Sequence, residues 1–302
     1  MTKVGIRLTA TTVVEIRSMV EVVAVFLAVT EQFVGKASKK VDMTNYYKEF
    51  AKNIYSQCGD DGVIEKMFQD LKIVSGTVLE VGANDPVRGS NIYNLWKDGW
   101  FNAILVEKDD FYLPKLRAID KKFNNVELVE LELSQENTLD DILKNSHFNT
   151  DPDGLAMVVI DVDSIDYHVF ESIKDHSPKI VVVESNISYG KEKEITGPDG
   201  CSQLSLRKLG ESKGYTHVFS NGNSFFVRND LIHNIENHDF SYDNLYVDFN
   251  DVEGWYQTLD KNGKSKVYES NKDPKVKTKF YHLSSEQHSI ANSEYEKCIN
   301  SK

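Results

Sequence analysis

The stretch from residue 77 to residue 85 reads Thr77-Val-Leu-Glu80-Val-Gly82-Ala-Asn-Asp85. A short β-branched and apolar run leads to an acidic residue, and small residues follow in a tight turn. A glycine at this position lets a ligand approach the backbone closely. The turn lacks the Gly-x-Gly-x-x-Gly pattern of dinucleotide sites and the Gly-x-x-x-x-Gly-Lys pattern of phosphate loops. This stretch therefore predicts a buried strand that ends at a binding loop for a ligand other than a polyphosphate.

The same alternation of β-rich runs and helix-like stretches extends through the middle of the chain. It predicts a mostly parallel sheet with helices on both faces, that is, an α/β, Rossmann-like fold. The predicted strands are Thr77–Val81, Ala103–Glu107, Val126–Glu130, Met157–Asp161 and Ile180–Glu184. The predicted helices are Asp60–Leu71, Asn91–Lys97, Tyr112–Lys122, Leu139–Asn145, Tyr167–Lys174 and Leu204–Lys213.

Two apolar runs, 215–219 and 224–228, flank an Asn-Gly pair and predict a hairpin after the last helix. The sheet then has seven strands and closes with an antiparallel hairpin. This ending is expected of class I methyltransferases, whereas nicotinamide-binding domains usually continue with a parallel strand.

Composition limits the partners. The chain has 302 residues and a formal net charge of −12, which disfavours nucleic acid as a partner. Its three cysteines lack metal-ligand spacing and favour a reducing compartment. The longest wholly apolar run, Val22 to Val29, is shorter than the roughly 20 residues that a membrane span needs. With no transmembrane segment or secretory signal expected, we predict a cytoplasmic protein.

Three regions are predicted along the chain: an N-terminal segment 1–40, a catalytic-type domain 41–230 and a C-terminal extension 231–302. The first segment carries a loose apolar stripe that could form an amphipathic helix. It would pack on the domain, bind a membrane surface, or join two copies in a homo-oligomer. The extension mixes aromatic, acidic and then lysine residues, and is either a substrate lid or a tail that packs its aromatics.

Two acidic residues mark consecutive strand ends. Glu80 ends the first strand and Glu107 ends the second, so both should face one crevice at the carboxyl edge of the sheet. A carboxylate at the second position can accept hydrogen bonds from both hydroxyls of a ribose. Acidic groups beside the loop suit a ligand that carries an amine and a sulfonium, so S-adenosylmethionine fits better than a nucleotide polyphosphate.

From Tyr55 to Asp230 the chain resembles the FkbM-type S-adenosylmethionine-dependent methyltransferases. The resemblance rests on residues 56–62 (SQCGDDG), 80–85 (EVGAND), 90–91, 98–100, 106–107 and 160–163 (IDVD). It implies cofactor contacts at Ser56, Asp61, Glu80, Gly82, Ala83, Asn84, Asn91, Glu107 and Asp161, with adenine near Leu133 and Ser134. Pro86 and Ser164 depart from the pattern, since glycine is common at both places.

The acceptor side is expected beyond the fourth and fifth strands. An alcohol loses its proton as it attacks a methyl group, so a base or a metal is useful there. Candidate catalytic residues are Asp161, Asp163, His168 and Glu184. Oxygen ligands for Mg²⁺ could come from Asp161, Asp163, Glu184 and Asn186, and hydrogen bonding without a metal is the alternative.

The predicted function is methyl transfer from S-adenosylmethionine to a hydroxyl, with a small molecule, sugar or glycan as acceptor. Two alternatives stay open at this point. A methyltransferase fold with a drifted pocket could serve as a non-catalytic binding module, for which Pro86 and Ser164 are the motive. A nicotinamide-dependent oxidoreductase is disfavoured by the missing glycine fingerprint.

Overall fold

The computed structural model describes residues 46–134, 136–235, 238–248, 255–259, 265–269 and 293. The predicted N-terminal segment 1–40, with its membrane or oligomer role, lies outside these residues, as does most of the predicted C-terminal extension. Among the described residues, no helix has the length and apolar character needed to cross a membrane.

Seven strands form the main sheet. They are β1 Gly76–Val81, β2 Phe101–Glu107, β3 Val126–Glu130, β4 Leu155–Ile160, β5 Ile180–Glu184, β6 Tyr215–Ser220 and β7 Asn223–Arg228. Their order across the sheet is β3-β2-β1-β4-β5-β7-β6. The first five pair in parallel, and β7 runs antiparallel to both β5 and β6. This is the Rossmann-like methyltransferase fold, as the sequence predicted.

The connecting helices are α1 Asp60–Asp70, α2 Tyr93–Trp96, α3 Leu113–Lys122, α4 Leu139–Asn145, α5 Asp166–Ser172 and α6 Gln203–Ser212. Two of them begin with a polar cap: the Thr138 hydroxyl accepts from Asp141 N–H, and the Ser202 hydroxyl accepts from Ser205 N–H. Such caps satisfy amide groups that the first helical turn leaves without a partner.

The central strands are apolar on both faces. All six residues of β4, Leu-Ala-Met-Val-Val-Ile, are buried, as is typical of a parallel strand covered by helices on both sides. Alternate residues therefore enter two separate cores. Val78 and Met157 belong to the core on one face, and Leu79 and Val158 to the core on the other. Fixing both faces leaves the carboxyl ends of the strands as the open edge of the domain.

Further elements follow β7: a 3₁₀ helix Asn229–Ile235, a one-turn helix α7 Tyr242–Leu245, and a separate hairpin of β8 Trp255–Leu259 with β9 Ser265–Glu269. A 3₁₀ helix Tyr46–Phe50 precedes α1. The sequence analysis had assigned none of these elements. Two of the three cysteines, Cys58 and Cys201, are described and are free thiols.

Candidate functional site

Two neighbouring cavities open at the carboxyl edge of the sheet. The first, here the β1 cavity, has a volume of about 350 Å³ and is lined by Gln57, Glu80, Gly82, Ala83, Asn84, Asp85, Arg88, Gly89, Ser90, Tyr112 and Asp161. The second, the β5 cavity, has about 380 Å³ and is lined by Gln57, Cys58, Asp60, Gly89, Asn91, Asp161, Asp163, Glu184, Ser185, Asn186, Ile187, Ser188, Asp199, Gly200, Gly222 and Asn223. Gln57, Gly89 and Asp161 line both, so the two cavities meet at these residues.

Gly82 makes the close turn after β1. Its φ of 77° lies in the left-handed region, and a Cβ there would stand 1.8 Å from the carbonyl oxygen of Asp161. Its amide and that of Ala83 both donate to the carbonyl of Val106, which ties the turn to β2. Only glycine allows the ends of β1 and β4 to approach this closely.

Glu80 lies at the floor of the β1 cavity and is 4 % exposed. One carboxyl oxygen accepts from the Ser90 hydroxyl at 2.7 Å, and the other from Asn91 N–H at 2.7 Å. Burial raises the pKa of Glu80 to about 8, and the two donors oppose that rise only in part. A cationic ligand would favour the ionised form of Glu80, which offers about four acceptor positions, of which two remain for the ligand.

Glu107 is buried at the end of β2 but does not line either cavity. Its carboxylate accepts from the amides of Asn84, Lys108 and Asp109 at 2.7 to 2.8 Å. These three hydrogen bonds connect the turns that follow β1 and β2. The sequence did not indicate this structural role of Glu107. One acceptor position is left, so the predicted ribose contact stays a prediction.

The rim of the β1 cavity includes residues that the sequence analysis did not select. Asp85 accepts from the amides of Val87 and Arg88, and forms an ion pair with Lys115 at 2.6 Å. Arg88 is exposed and is the only basic residue among the described residues that line this cavity. Tyr112 adds an aromatic side chain just before α3. The signals available in the sequence were a basic residue soon after the glycine turn and an aromatic residue soon after β2.

Ser56 and Asp61, both predicted to contact the cofactor, are fully buried and line neither cavity. One oxygen of Asp61 accepts from the amides of Ile54, Tyr55 and Ser56 and from the Ser56 hydroxyl, at 2.6 to 2.8 Å. The pair fixes the loop whose next residue, Gln57, lies between the two cavities. The described contacts support a positioning role for both residues.

Three carboxyl groups meet in the β5 cavity. One oxygen from each of Asp161, Asp163 and Glu184 lies within 4.8 Å of the other two. Burial, followed by the charge of neighbouring carboxylates, raises the pKa of both Asp161 and Glu184. Two carboxyls this close hold one proton between them at neutral pH, so one can accept a proton while the other donates a hydrogen bond.

Asp60 joins the opposite wall to the β6–β7 turn. Its two carboxyl oxygens accept from the side-chain amides of Asn221 and Asn223 at 2.6 and 2.7 Å, and Asn221 also donates to the carbonyl of Cys58. Burial raises the pKa of Asp60 to about 7. The sequence analysis used Asn221 only as a turn signal and therefore missed this connection.

Asn186 belongs to the loop between β5 and α6. Its side chain is already engaged, since it donates to the Asp199 carbonyl and accepts from Ser188.

Segment 238–248 packs against this loop and the start of α6. Gln203, the first residue of α6, makes two hydrogen bonds to the backbone of Val247, and the hydroxyls of Tyr242 and Tyr246 donate to loop carbonyls. These tyrosines were predicted to pack on the domain or to form a lid, and they contact the loop that borders the β5 cavity.

Of the remaining predicted site residues, some line one of the two cavities and others line neither. Asn91 lines the β5 cavity, and Ala83 and Asn84 line the β1 cavity. Leu133 and Ser134 line neither cavity, and the Ser134 hydroxyl accepts from the amides of its own turn. His168 is exposed on α5, 3.2 Å from Glu171, and also lines neither cavity. The structure therefore does not bring His168 together with the carboxyl cluster.

Backbone strain concentrates at the two cavities. Among the described residues, four non-glycine residues have a positive φ: Cys58, Lys72, Asn84 and Asp163. Three of them line a cavity, and such conformations persist where the surrounding structure demands them. Pro86 and Ser164, the departures from the family pattern, do not have a positive φ. Their side chains therefore impose no left-handed strain on the site.

The two cavities differ in the groups they can hold. The β1 cavity combines a glycine turn, a buried carboxylate and Arg88, which together fit the amino-acid part of S-adenosylmethionine, with its ammonium and carboxylate. The carboxyls of Asp161, Asp163 and Glu184 have the oxygen chemistry that Mg²⁺ accepts. The Asn186 amide, already bonded on both of its atoms, fits poorly as a fourth ligand.

No protein-family model matches the chain, and no curated protein matches it. Similar solved structures include precorrin-6y C5,15-methyltransferase from Geobacter metallireducens GS-15, with a TM-score of 0.37 and 15 % identity over 60 % of this chain and 93 % of that chain. The N-terminal domain of EvdMO1 with SAH bound has a TM-score of 0.37 and 12 % identity, over 63 % and 95 % of the two chains. A SAM-dependent methyltransferase from Aquifex aeolicus has a TM-score of 0.35 and 14 % identity, over 60 % and 95 %. The assignment of the fold rests on the strand order and not on these similarities.

Proposed function

We propose that the protein is an S-adenosylmethionine-dependent O-methyltransferase of the FkbM type that acts on a hydroxyl of a sugar or other polyol. The observation that supports this most is the junction of the two cavities at Gln57, Gly89 and Asp161. A cofactor and an acceptor that occupied them would meet at the half-buried carboxyl of Asp161, and a transfer reaction needs its two reactants side by side.

The β1 cavity is proposed as the cofactor site. Glu80 would bind the cofactor's ammonium, Arg88 its carboxylate, and the backbone around Gly82 would allow close contact. Glu107 keeps one acceptor position for a ribose hydroxyl. When bound, S-adenosylmethionine supplies an activated methyl group, whose carbon–sulfur bond breaks with the electron pair left on sulfur.

The β5 cavity is proposed as the acceptor site. The attacking hydroxyl gains the methyl group and gives up its proton, and the Asp161–Glu184 pair provides a nearby carboxylate that takes it. Gln57, whose side chain makes no hydrogen bond to another described residue, can orient the acceptor between the cavities. No step requires His168. A metal-assisted variant would use Asp161, Asp163 and Glu184 to polarise the same hydroxyl, and transfer that survives chelation with EDTA excludes it.

The test combines binding with transfer. Calorimetry should detect S-adenosylmethionine and its demethylated product with micromolar dissociation constants, about −8 kcal/mol, and no binding of NAD⁺. Labelled cofactor incubated with a panel of sugars and glycans should give a methyl ether. Asp161→Asn should lose transfer while it keeps cofactor binding within a few-fold. Absence of binding for both cofactor forms refutes the proposal, and cofactor binding without transfer to any acceptor favours a binding module.

A further inference from the structure

The turn between β6 and β7 forms one wall of the β5 cavity, to which it contributes Gly222 and Asn223. Hydrogen bonds from two other parts of the chain hold this turn. The Gly222 carbonyl accepts from the amide of Ser185 at 2.8 Å and from the Ser185 hydroxyl at 2.9 Å. The side chain of Asn221 donates to the carbonyl of Cys58 at 2.7 Å. The wall is therefore fixed in place by the protein's own contacts.

Asp60 fixes the side-chain amide of Asn223. Asp60 is 1 % exposed, and its two carboxyl oxygens accept from the amides of Asn221 and Asn223 at 2.6 and 2.7 Å. Burial raises the pKa of Asp60 to about 7, and the two donors oppose that rise. An ionised carboxylate only accepts, so Nδ2 of Asn223 faces Asp60. Since Nδ2 and Oδ1 leave the same carbon in different directions, this hydrogen bond also fixes the direction of Oδ1.

The Oδ1 atom of Asn223 has no donor within the described part of the chain. Asn223 is 8 % exposed and lines the β5 cavity. Its Nδ2 and its backbone amide are both bonded, whereas Oδ1 makes no hydrogen bond to another described residue and is not sealed from solvent. Buried amide oxygens normally accept from a donor. An oxygen without one, held in a fixed direction at a cavity wall, points to a ligand that supplies the donor.

Asn223 lies beside the carboxyl pair proposed to take the proton. In the antiparallel pairing of β5 with β7, Asn223 stands directly opposite Glu184. Side chains that are directly opposite share one face of the sheet, with Cβ atoms about 4.5–5.5 Å apart. A ligand whose reacting hydroxyl is at the Asp161–Glu184 pair therefore brings the substituent on the next carbon within reach of Asn223.

From these observations we propose that Asn223 accepts a hydrogen bond from a second hydroxyl of the acceptor, on the carbon next to the one whose hydroxyl is methylated. The acceptor class is then a vicinal diol. This inference rests on the proposed function, because it narrows the acceptor of the same site. The hydroxyl at Asn223 keeps its hydrogen and takes no part in the transfer. A methyl ether has no hydrogen to donate there, so a diol should be methylated once.

The test compares three alcohols that share a ring: cis-cyclohexane-1,2-diol, cyclohexanol and cis-2-methoxycyclohexanol. Either hydroxyl of the diol has the other as its neighbour, so the test does not depend on which one reacts. Each alcohol is offered with labelled S-adenosylmethionine to the full-length protein, and kcat/KM is measured. The diol should exceed both others at least tenfold, which corresponds to about 1.4 kcal/mol. Cyclohexanol leaves the amide oxygen without a donor, and the methyl ether places a second acceptor against it.

Two alanine variants locate the effect. Asn223→Ala should reduce the advantage of the diol over cyclohexanol to less than threefold, mainly by raising KM for the diol. Asn221→Ala is the matched control, because Asn221 belongs to the same turn and also donates to Asp60 but lines neither cavity. It should keep the preference. The ratio compares two substrates on one protein, so a loss of stability alone does not change it.

A double variant tests the fixed direction of the amide. Asp60→Asn combined with Asn223→Asp exchanges the carboxyl and the amide between the two positions. The hydrogen bond between them can form in the opposite sense, an oxygen at position 60 can still accept from Asn221, and an oxygen at position 223 still faces the cavity. The preference for the diol should therefore be present in this double variant.

The proposal is overturned by equal kcat/KM values for the diol and cyclohexanol in the wild type, by no transfer to any of the three alcohols, or by an unchanged preference in Asn223→Ala. The first two results need no variant, so a variant that fails to fold does not prevent the decision. Each result leaves the proposed function standing if labelled methyl reaches a sugar of the panel. Failure to bind S-adenosylmethionine is seen before any acceptor is added and removes the proposed function itself.

Discussion

The two cavities at the carboxyl edge are built from neighbouring strands and share three residues, yet they differ in how their polar groups are satisfied. In the β1 cavity, Glu80 has hydrogen-bond donors on both oxygens and Asp85 has an ion-pair partner. In the β5 cavity, the carboxyls of Asp161, Asp163 and Glu184 lie close to one another. The first is arranged in advance for a ligand of mixed charge, whereas the second contains neighbouring carboxyls with raised pKa values that can hold a proton and release it.

The largest expected effect comes from a substitution in the tight turn that follows β1. Gly82→Ala places a methyl group 1.8 Å from the Asp161 carbonyl oxygen and forces an L residue into a positive φ. The conformation alone costs about 1–2 kcal/mol, and the clash displaces β1 or β4. We expect at least a hundredfold loss of S-adenosylmethionine affinity by calorimetry and a lower melting temperature.

Gly190→Ala is the control for that substitution. Gly190 lies in the loop after β5 with no positive φ, and a Cβ there would meet nothing closer than 4.0 Å. This variant should bind the cofactor as the wild type does. A fully stable Gly82→Ala protein with unchanged affinity would show that the cofactor does not use this turn.

The next effect concerns the carboxylate at the floor of the β1 cavity. Glu80→Gln preserves the size of the side chain but removes the charge that would bind the cofactor's ammonium, so we expect affinity to fall about tenfold or more. Glu130→Gln, at the end of β3 on the same edge, should bind like the wild type because Glu130 forms an ion pair with Arg117 on the surface and lines neither cavity. Equal affinities of the two variants would contradict the assignment of the β1 cavity.

The stability of the folded protein should depend on pH through two buried carboxyl groups, those of Glu80 and Asp60. Burial raises the pKa of Glu80 to about 8 and that of Asp60 to about 7, whereas both have pKa values near 4 in an unfolded chain. Between pH 4 and pH 8 the folded protein therefore holds more protons than the unfolded chain, and its stability falls as pH rises. The melting temperature of the ligand-free protein should drop from pH 5.5 to pH 8.5.

Glu80→Gln separates this cause from other titrations. The variant cannot ionise at position 80, so its melting temperature should fall less over the same range and should exceed that of the wild type at pH 8.5. A wild-type melting temperature that rises toward pH 8.5 would mean that Glu80 and Asp60 are ionised without cost in the folded protein.

A smaller effect should be confined to the surroundings of the β5 cavity and leave the β1 cavity unchanged. Gln203→Ala removes two hydrogen bonds to Val247 and loosens segment 238–248, which braces the loop beside the β5 cavity. Amide exchange in residues 185–202 and 238–248 should accelerate, while S-adenosylmethionine affinity stays within twofold. Ser212→Ala, at the far end of the same helix, is the control. A large loss of cofactor affinity in Gln203→Ala would show that the cavities do not act separately.

The sequence predicted most of the fold because its central strands are strongly apolar and each is followed by a helix signal. The bounds of β3, β5 and α4 match the prediction residue for residue. The segment after β7 was harder to assign, because its short helices depend on contacts such as Gln203 with Val247 that no local pattern encodes.

The site was predictable where the chemistry sits at a strand end. Glu80, Asp161 and Glu184 all lie at or directly after the carboxyl ends of buried strands, and the sheet brings them to one edge. Asp60, Arg88 and Tyr112 were missed, because their place at the cavities depends on how loops fold back over the sheet. Ser56 and Asp61 show the converse. These two motif residues line neither cavity, and their hydrogen bonds hold a loop in place.

The most direct test of the central claim is a crystal structure of the protein with S-adenosylhomocysteine. We predict density for the ligand in the β1 cavity, with its amino group at Glu80, its carboxylate at Arg88 and its sulfur directed toward Asp161 at the junction. The β5 cavity should stay free for an acceptor. Density for the ligand in the β5 cavity, or an empty β1 cavity in crystals grown at saturating ligand, would contradict the account.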